Sequence, residues 1–372
     1  MGRRQLIAWG WQILVCAGAA ALAFLFIHDA EENLATRHIA TGFHFLTQTA
    51  PIPIGETPIA YTPSVSTYGR AFLIGVLNTL KVAIPGCVVA TLWGTLVGLA
   101  RLSRITLLAR LAAAYVQGLR NIPLLLQLFF WYGLAQVLPP PRQAFRLLPG
   151  VFLSNRGLVV PVLEGAGTLL VALLVLAAAR LAAARLVPVN QRGARGAALR
   201  WGPGLVLALL ALFALHPSFH LEAPQLRGFN FQGGMVLSPE YVALFTGLVL
   251  YTASYVAEIV RGGLLAIPRG QWEAGRALGF SEGEVLRLVI LPQTLRIVIP
   301  PMISQYLNLV KNSSLAVAIG YQDLASITET ILNQTGQAIE AIALMMAVYL
   351  GISLSVSFAL NLFDARLKRE RG

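Results

Sequence analysis

Long apolar runs broken by short charged segments set the layout of the chain. After Met1-Gly-Arg-Arg, the run from Leu6 to Ile27 is long enough to cross a bilayer core of about 30 Å at about 1.5 Å of rise per residue. Further spans are centred in Ala71 to Ala100, Leu107 to Leu138, Leu163 to Val187, Trp201 to His216, Tyr241 to Val260, Arg296 to Gly320 and Ile339 to Phe363, about eight helices in all. The pattern predicts an all-α, polytopic membrane protein. A signal peptide is the alternative for the first run, but the run is long for an h-region and no clear small-x-small cleavage site follows. Residues 28–70 are polar, acidic at Asp29, Glu31, Glu32 and Glu56, and broken by Pro51, Pro53, Pro58 and Pro63, so they read as an external loop.

Composition agrees: 56% of residues are hydrophobic and only 12% charged, more apolar surface than a soluble core absorbs. The net charge of +12 comes from arginines clustered between apolar runs, with no basic, aromatic-interleaved stripe, which excludes a nucleic-acid surface. Positive-inside topology places Arg101, Arg104 and Arg110, then Arg185, Arg192, Arg195 and Arg200, and finally Arg366, Lys368, Arg369 and Arg371 in the cytoplasm, with both chain ends. Arg142, Arg146 and Arg156 are exceptions, falling outside after Pro139-Pro-Pro. Cys16 and Cys87 lie in apolar runs and act as small hydrophobes.

No Gly-x-x-x-x-Gly-Lys-[Ser/Thr] phosphate loop occurs, the five histidines show no metal spacing, and no nucleophile stands near a base. The sequence therefore offers no catalytic residue, cofactor site or metal site. ATP, if used, is handled by another subunit.

One segment is polar where its surroundings are apolar, Gln271 to Pro292. Leu278 completes a short helix, Gly279 suits the left-handed conformation that ends it, and Ser281 with Glu284 forms a capping box that starts the next. Two helices thus meet at a fixed corner. The segment resembles the signature cytoplasmic loop of ABC-importer permeases, Glu-Ala-Ala, then Gly, then Ile-x-Leu-Pro. Glu273, Ala274, Gly279, Leu291 and Pro292 match, while Gly275 replaces the second Ala and Val289 the Ile. The resemblance implies that the short helix inserts into a groove on a separate ATPase, with Ala274 and Gly275 permitting close backbone approach. The plain alternative is an amphipathic surface helix with a Glu273 to Arg276 pair.

Arg120-Asn-Ile-Pro-Leu-Leu-Leu-Gln127, Ala257-Glu-Ile-Val-Arg-Gly-Gly263 and Lys311-Asn-Ser-Ser-Leu315 look like the polar-amino-acid branch of these permeases, related to histidine and glutamine importers. An insertion from about Pro139 to Gly228, followed by Gly228 to Glu240, is similar to the larger permease of general L-amino acid or glutamate/glutamine/aspartate/asparagine importers. The resemblance implies an ABC type I importer permease fold, a dimer of ABC ATPases, a second permease in a heterodimer, a periplasmic amino-acid-binding protein, and a bacterial inner-membrane location. It divides the chain into residues 1–70 (first helix and periplasmic loop), 71–138 (first part of the core), 139–240 (an inserted helix pair with periplasmic loops) and 241–372 (second part of the core, with the docking loop at 262–292).

Several polar residues fall inside spans. Tyr251, Tyr255 and Glu258 share one helical face and form a candidate cavity wall, although Glu258 can equally pair with Arg261. Asn308, Lys311, Asn312, Ser313 and Ser314 interrupt an apolar helix, so Lys311 either attracts a substrate carboxylate or snorkels to the outer interface. Pro292, Pro300 and Pro301 are expected to bend or break that helix, and Gly262-Gly263 to act as a joint or helix stop before the docking helix. Arg120, Asn121 and Gln127 read first as interhelical hydrogen bonders, with Gln117 and Asn121 on one face. The function implied is inward movement of polar L-amino acids by alternating access. The alternatives are an ion-coupled secondary transporter and a membrane scaffold.

Overall fold

The computed structural model describes residues 11–19, 21–22, 24–26, 28–29, 41–165, 172, 175–177, 179, 194–215 and 220–369. Two compact units are present: Met1–Phe129 together with Leu244–Gly372, and Phe130–Ala243.

In the first unit α1 (Tyr68–Ala100) starts where the Thr67 hydroxyl accepts from the Arg70 amide, a side-chain N-cap. Its inward face carries Gly86, Ala90, Gly94 and Gly98, one small residue per turn. A Cβ built on Gly94 would lie 2.6 Å from the Val256 Cβ, and one on Gly98 only 2.7 Å from the Ala257 carbonyl oxygen. The small-residue stripe therefore brings α1 against α5 (Pro239–Leu265) nearly backbone to backbone. The span expected over Leu107 to Leu138 is two helices, α2 (Thr106–Asn121) and α3 (Leu124–Gln136). Pro123 explains the break, because it drives Ile122 out of the helical region to φ −96°, ψ 126°.

After α5 come α6 (Arg269–Ala277), a single turn at Glu282–Glu284, a π-helical stretch Val285–Ile290, and α7 (Leu291–Asn312) continuing as a 3-10 helix Ser313–Ile319. Two expectations are corrected here. Pro300 and Pro301 do not break α7, and the irregularity instead falls before Pro292, where the wide π turn precedes it. Nor does α5 stop at Gly262-Gly263; it runs to Leu265, and Gly263 is small because a Cβ there would sit 2.3 Å from Val298 Cγ2 on α7. The unit closes with α8 (Leu324–Thr335) and α9 (Ala338–Arg369).

Residues 41–67, read from sequence as an external loop, form a folded cap. Phe45, Ala50 and Ile52 are buried with Tyr68, Ala71 and Ile74 of α1, Ile327 and Ile331 of α8, and Ala341 of α9. Polar ties add direction: the Gly42 amide donates to Glu340 Oε1 at 2.7 Å, and Asn78 Nδ2 donates to the carbonyls of Glu56 and Gln322 at 3.0 and 2.9 Å.

The second unit departs from an all-helical reading. Short strands β1 (Phe145–Leu148), β2 (Val151–Ser154), β3 (Gly157–Val160), β4 (Val162–Leu163), β5 (Leu221–Glu222), β6 (Gln225–Arg227), β7 (Asn230–Gln232) and β8 (Met235–Leu237) pair antiparallel, with a sheet of order β1-β2-β3-β8 and two ribbons, β4-β5 and β6-β7. Four-residue apolar runs separated by left-handed glycines favour this. Gly157 at φ 103° approaches β8 so closely that a Cβ would lie 1.9 Å from the Leu237 carbonyl oxygen. Of the inserted helix pair, α4 (Ala194–Leu215) is described, while most of Leu163 to Val187 lies outside the described residues, as does much of the run from Leu6 to Ile27. Among the described residues four helical stretches are long and apolar enough to cross a membrane: Tyr68–Ala100, Pro239–Leu265, Glu282–Ile319 and Ala338–Phe358. Leu124–Gln136 and Trp201–Leu210 are shorter apolar helices.

Candidate functional site

The corner between α6 and α7 is built by local chemistry. Gly279 takes φ 81°, which lets its amide donate to the Arg276 carbonyl at 2.9 Å and the Phe280 amide donate to the Gly275 carbonyl at 3.2 Å, the paired bonds of a Schellman ending. Immediately after, the Glu284 amide donates to Ser281 Oγ at 3.4 Å while the Ser281 amide donates to Glu284 Oε2 at 2.9 Å, the expected capping box. Arg276 pairs across the corner with Glu282 at 2.8 Å rather than with Glu273. Gln293 Nε2 reaches Gln271 Oε1 at 3.1 Å and ties the two arms again.

Burial sorts the residues of the matched motif. Gly275 is buried, and a Cβ there would lie 2.9 Å from Val285 Cγ2, so its missing side chain serves the packing of the corner itself. Ile267, Val285 and Ile290 form the small core beneath, with Trp272 and Val289 against it. Glu273, Ala274 and Gly279 are exposed; Leu291 is 43% exposed and Pro292 half-buried. Leu278 stands 76% exposed at the tip, beside Phe280. The sequence reading used Leu278 only to finish a helix; its place just before the left-handed glycine is the signal that would have marked it.

A polar cleft of about 370 Å³ opens between the end of α1, α2 and α5, and Arg101, Gln117, Arg120, Asn121, Tyr255 and Glu258 line it. The helical spacing of Tyr251, Tyr255 and Glu258 does place them together: the two tyrosine hydroxyls are 3.1 Å apart, and the Arg120 guanidinium lies 4.9 Å above the Tyr255 ring. Glu258 is held by Arg261, as one reading expected, and also by Arg101 at the end of α1, which no local pattern announces. Gln127 is not in the cleft. Its buried amide donates to the carbonyls of Leu119 and Ile122 at 2.8 and 2.9 Å, satisfying the end of α2 that Pro123 leaves open.

The polar residues of α7 divide. Asn308 and Lys311 are exposed, with Ser304 one turn earlier on the same face, and Lys311 makes no ion pair among the described residues. Ser313 is buried and donates to the Val310 carbonyl at 2.9 Å and to Asp323 Oδ2 at 3.4 Å; Ser314 donates to the Lys311 carbonyl at 2.8 Å. Asp323, which sequence reasoning missed, accepts from the Ser326 amide at 3.0 Å and caps α8, and it also receives the Tyr349 hydroxyl at 3.4 Å. Burial pushes its carboxyl up to about 6. The Asp323-x-x-Ser326 spacing ahead of an apolar run was the available signal.

Residues 197–369 match the family described as binding-protein-dependent transport system inner membrane component. The chain is 44% identical over 369 residues to the putative amino-acid ABC transporter permease protein YhdX of Escherichia coli (strain K12), covering 97% of this chain and 94% of that protein. It is also 44% identical over 366 residues to the general L-amino acid transport system permease protein AapQ of Rhizobium johnstonii, covering 96% and 91%. Against the glutamate/glutamine/aspartate/asparagine transport system permease protein BztB of Rhodobacter capsulatus the identity is 38% over 388 residues, covering 94% and 90%. With its capped corner and apolar, membrane-length helices, the chain belongs to the binding-protein-dependent inner membrane components, and is a permease of the ABC-importer type that leaves ATP hydrolysis to a separate subunit.

Proposed function

We propose that the chain carries polar L-amino acids across a bacterial inner membrane as one of two different permeases, with an ABC ATPase dimer and a periplasmic amino-acid-binding protein as partners. The names of the 44%-identical relatives support the substrate class. The observation that carries the transport reading is the exposed stripe Ser304, Asn308 and Lys311 on an otherwise apolar helix. Lipid cannot satisfy such groups, so this face lines a water-filled path, and a second permease is the natural opposite wall. Lys311 attracts the substrate carboxylate there, Asn308 offers hydrogen bonds, and Ser313 and Ser314 hold the helix end in shape. Tyr251, Tyr255 and Glu258 form a second polar wall on α5.

The corner around Gly279 is the coupling element. Glu273 and Ala274 face outward toward the ATPase groove, Gly275, Leu291 and Pro292 set the corner's shape, and closure of the ATPases pushes α6 and rocks the helices attached to it. Both chain ends and the corner are cytoplasmic. Residues 1–70 serve as a first transmembrane helix and periplasmic segment, 71–138 and 241–372 as the transport core with the docking loop at 262–292, and 139–240 as an inserted pair of helices with periplasmic loops. Lys311→Met tests the path: uptake by the assembled importer falls at least about tenfold while membrane abundance and basal ATPase stay at wild-type level. Unchanged uptake refutes the role.

A further inference from the structure

The cleft beside α2 contains more positive charge than its ion pairs use. Glu258 is its one carboxylate among the described residues, and Arg101 and Arg261 both hold it. Arg120 rests on the Tyr255 ring with no carboxylate partner among the described residues. Gln117 and Asn121 stand on the same wall and supply amide donors. The surface next to this cleft is apolar. Leu107 and Leu111 are 68% and 61% exposed, and the exposed Ala114 and Gly118 continue the strip at helical spacing along α2. A cationic recess opening beside an apolar strip matches an amphiphile with an anionic head, and basic recesses between membrane helices at the cytoplasmic leaflet take such headgroups. A free amino acid has no use for the strip.

We infer that this cleft binds an anionic phospholipid, with a headgroup phosphate oxygen against Arg120, hydrogen bonds from Gln117 and Asn121, and acyl chain along the apolar strip of α2. The reading rests on the membrane placement of α1, α2 and α5 and shares Tyr255 and Glu258 with the second polar wall proposed above, but it needs neither the coupling role of the corner nor the Lys311 face. A substrate carboxylate shares the oxyanion chemistry, so the test separates the two sources. The importer, purified with the subunits it assembles with, is placed in nanodiscs of phosphatidylcholine containing a minor fraction of phosphatidylglycerol, and lipid retained through purification is quantified by native mass spectrometry. The wild type retains phosphatidylglycerol in preference to phosphatidylcholine. Arg120→Gln lowers that preference about fivefold, the effect of one cation near a membrane surface, whereas Arg120→Lys keeps most of it and Arg146→Gln, outside the cleft, keeps all of it. Gln117→Glu, which adds an anion at an exposed position without removing an arginine, lowers it as well. Equal retention by the wild type, Arg120→Gln and Gln117→Glu overturns the proposal. Displacement of bound phosphatidylglycerol by free glutamate or inorganic phosphate overturns it too, since the cleft would then serve a soluble anion.

Discussion

Replacing Gly279 isolates the backbone contribution to the corner proposed as the coupling element. Its φ of 81° lies in the left-handed region, and no heavy atom lies within 4 Å of a Cβ built there, so a new side chain meets strain but no clash. The cost for an ordinary L-residue is about 1–2 kcal/mol, larger for a β-branched one and smaller for Asn. Relief by unwinding forfeits the 2.9 and 3.2 Å bonds that close α6, each contributing about 1 kcal/mol. Closure of the corner therefore weakens by a factor of about 5–30 in Gly279→Val. Hydrogen exchange at residues 275–281 reads this directly, and substrate moved per ATP hydrolysed reads its consequence. The expected order is Gly, Asn, Ala, Val, with exchange and uncoupling rising together. A Val variant that exchanges and transports like wild type refutes the argument, as does an order that follows side-chain volume instead of tolerance of positive φ.

Gly94→Ala forces a methyl into a site where it would meet Val256 at 2.6 Å and costs about 1–3 kcal/mol of stability in a detergent melt, whereas Gly118→Ala, with nothing within 4 Å, leaves the midpoint at or above wild type. Asp323 binds its proton more tightly folded than unfolded, so its share of stability is full below about 3.8 and is lost as pH rises through about 6. Asp323→Asn flattens the melting midpoint between those limits, and parallel pH profiles for the two proteins contradict this. Glu258→Gln leaves Arg101 and Arg261 facing each other without a carboxylate; because the group is about a third exposed, the expected loss is about 1–2 kcal/mol, seen as lower membrane abundance. Wild-type abundance and uptake would remove Glu258 from the site.

How much was legible follows from how far apart the partners are in sequence. The corner was readable because Gly279, Ser281 and Glu284 fix it through bonds spanning a few residues. The tyrosine pair on α5 was readable for the same reason, being one helical turn apart. Arg101 was not, since it reaches Glu258 across 157 positions, and Asp323 finds Tyr349 only when α9 packs back. The strands of the second unit escaped because four-residue apolar runs carry too little periodicity to tell strand from buried helix. Proline in a continuous α7 misled in the opposite direction: the first turn of a helix tolerates Pro292, and the helix continues past the exposed Pro300 and Pro301.

The glycine stripe of α1 also limits where the molecule can bend. Sliding surfaces need an intervening layer of side chains whose rotamers take up displacement, and at Gly94 and Gly98 that layer is absent. A push on α5, which the proposed coupling role of the corner requires, is met at Gly94 and Gly98 by direct backbone contact with α1, whose far end carries the cap of residues 41–67. The pair works as a strut, and pivoting is left to the elements packed through larger side chains.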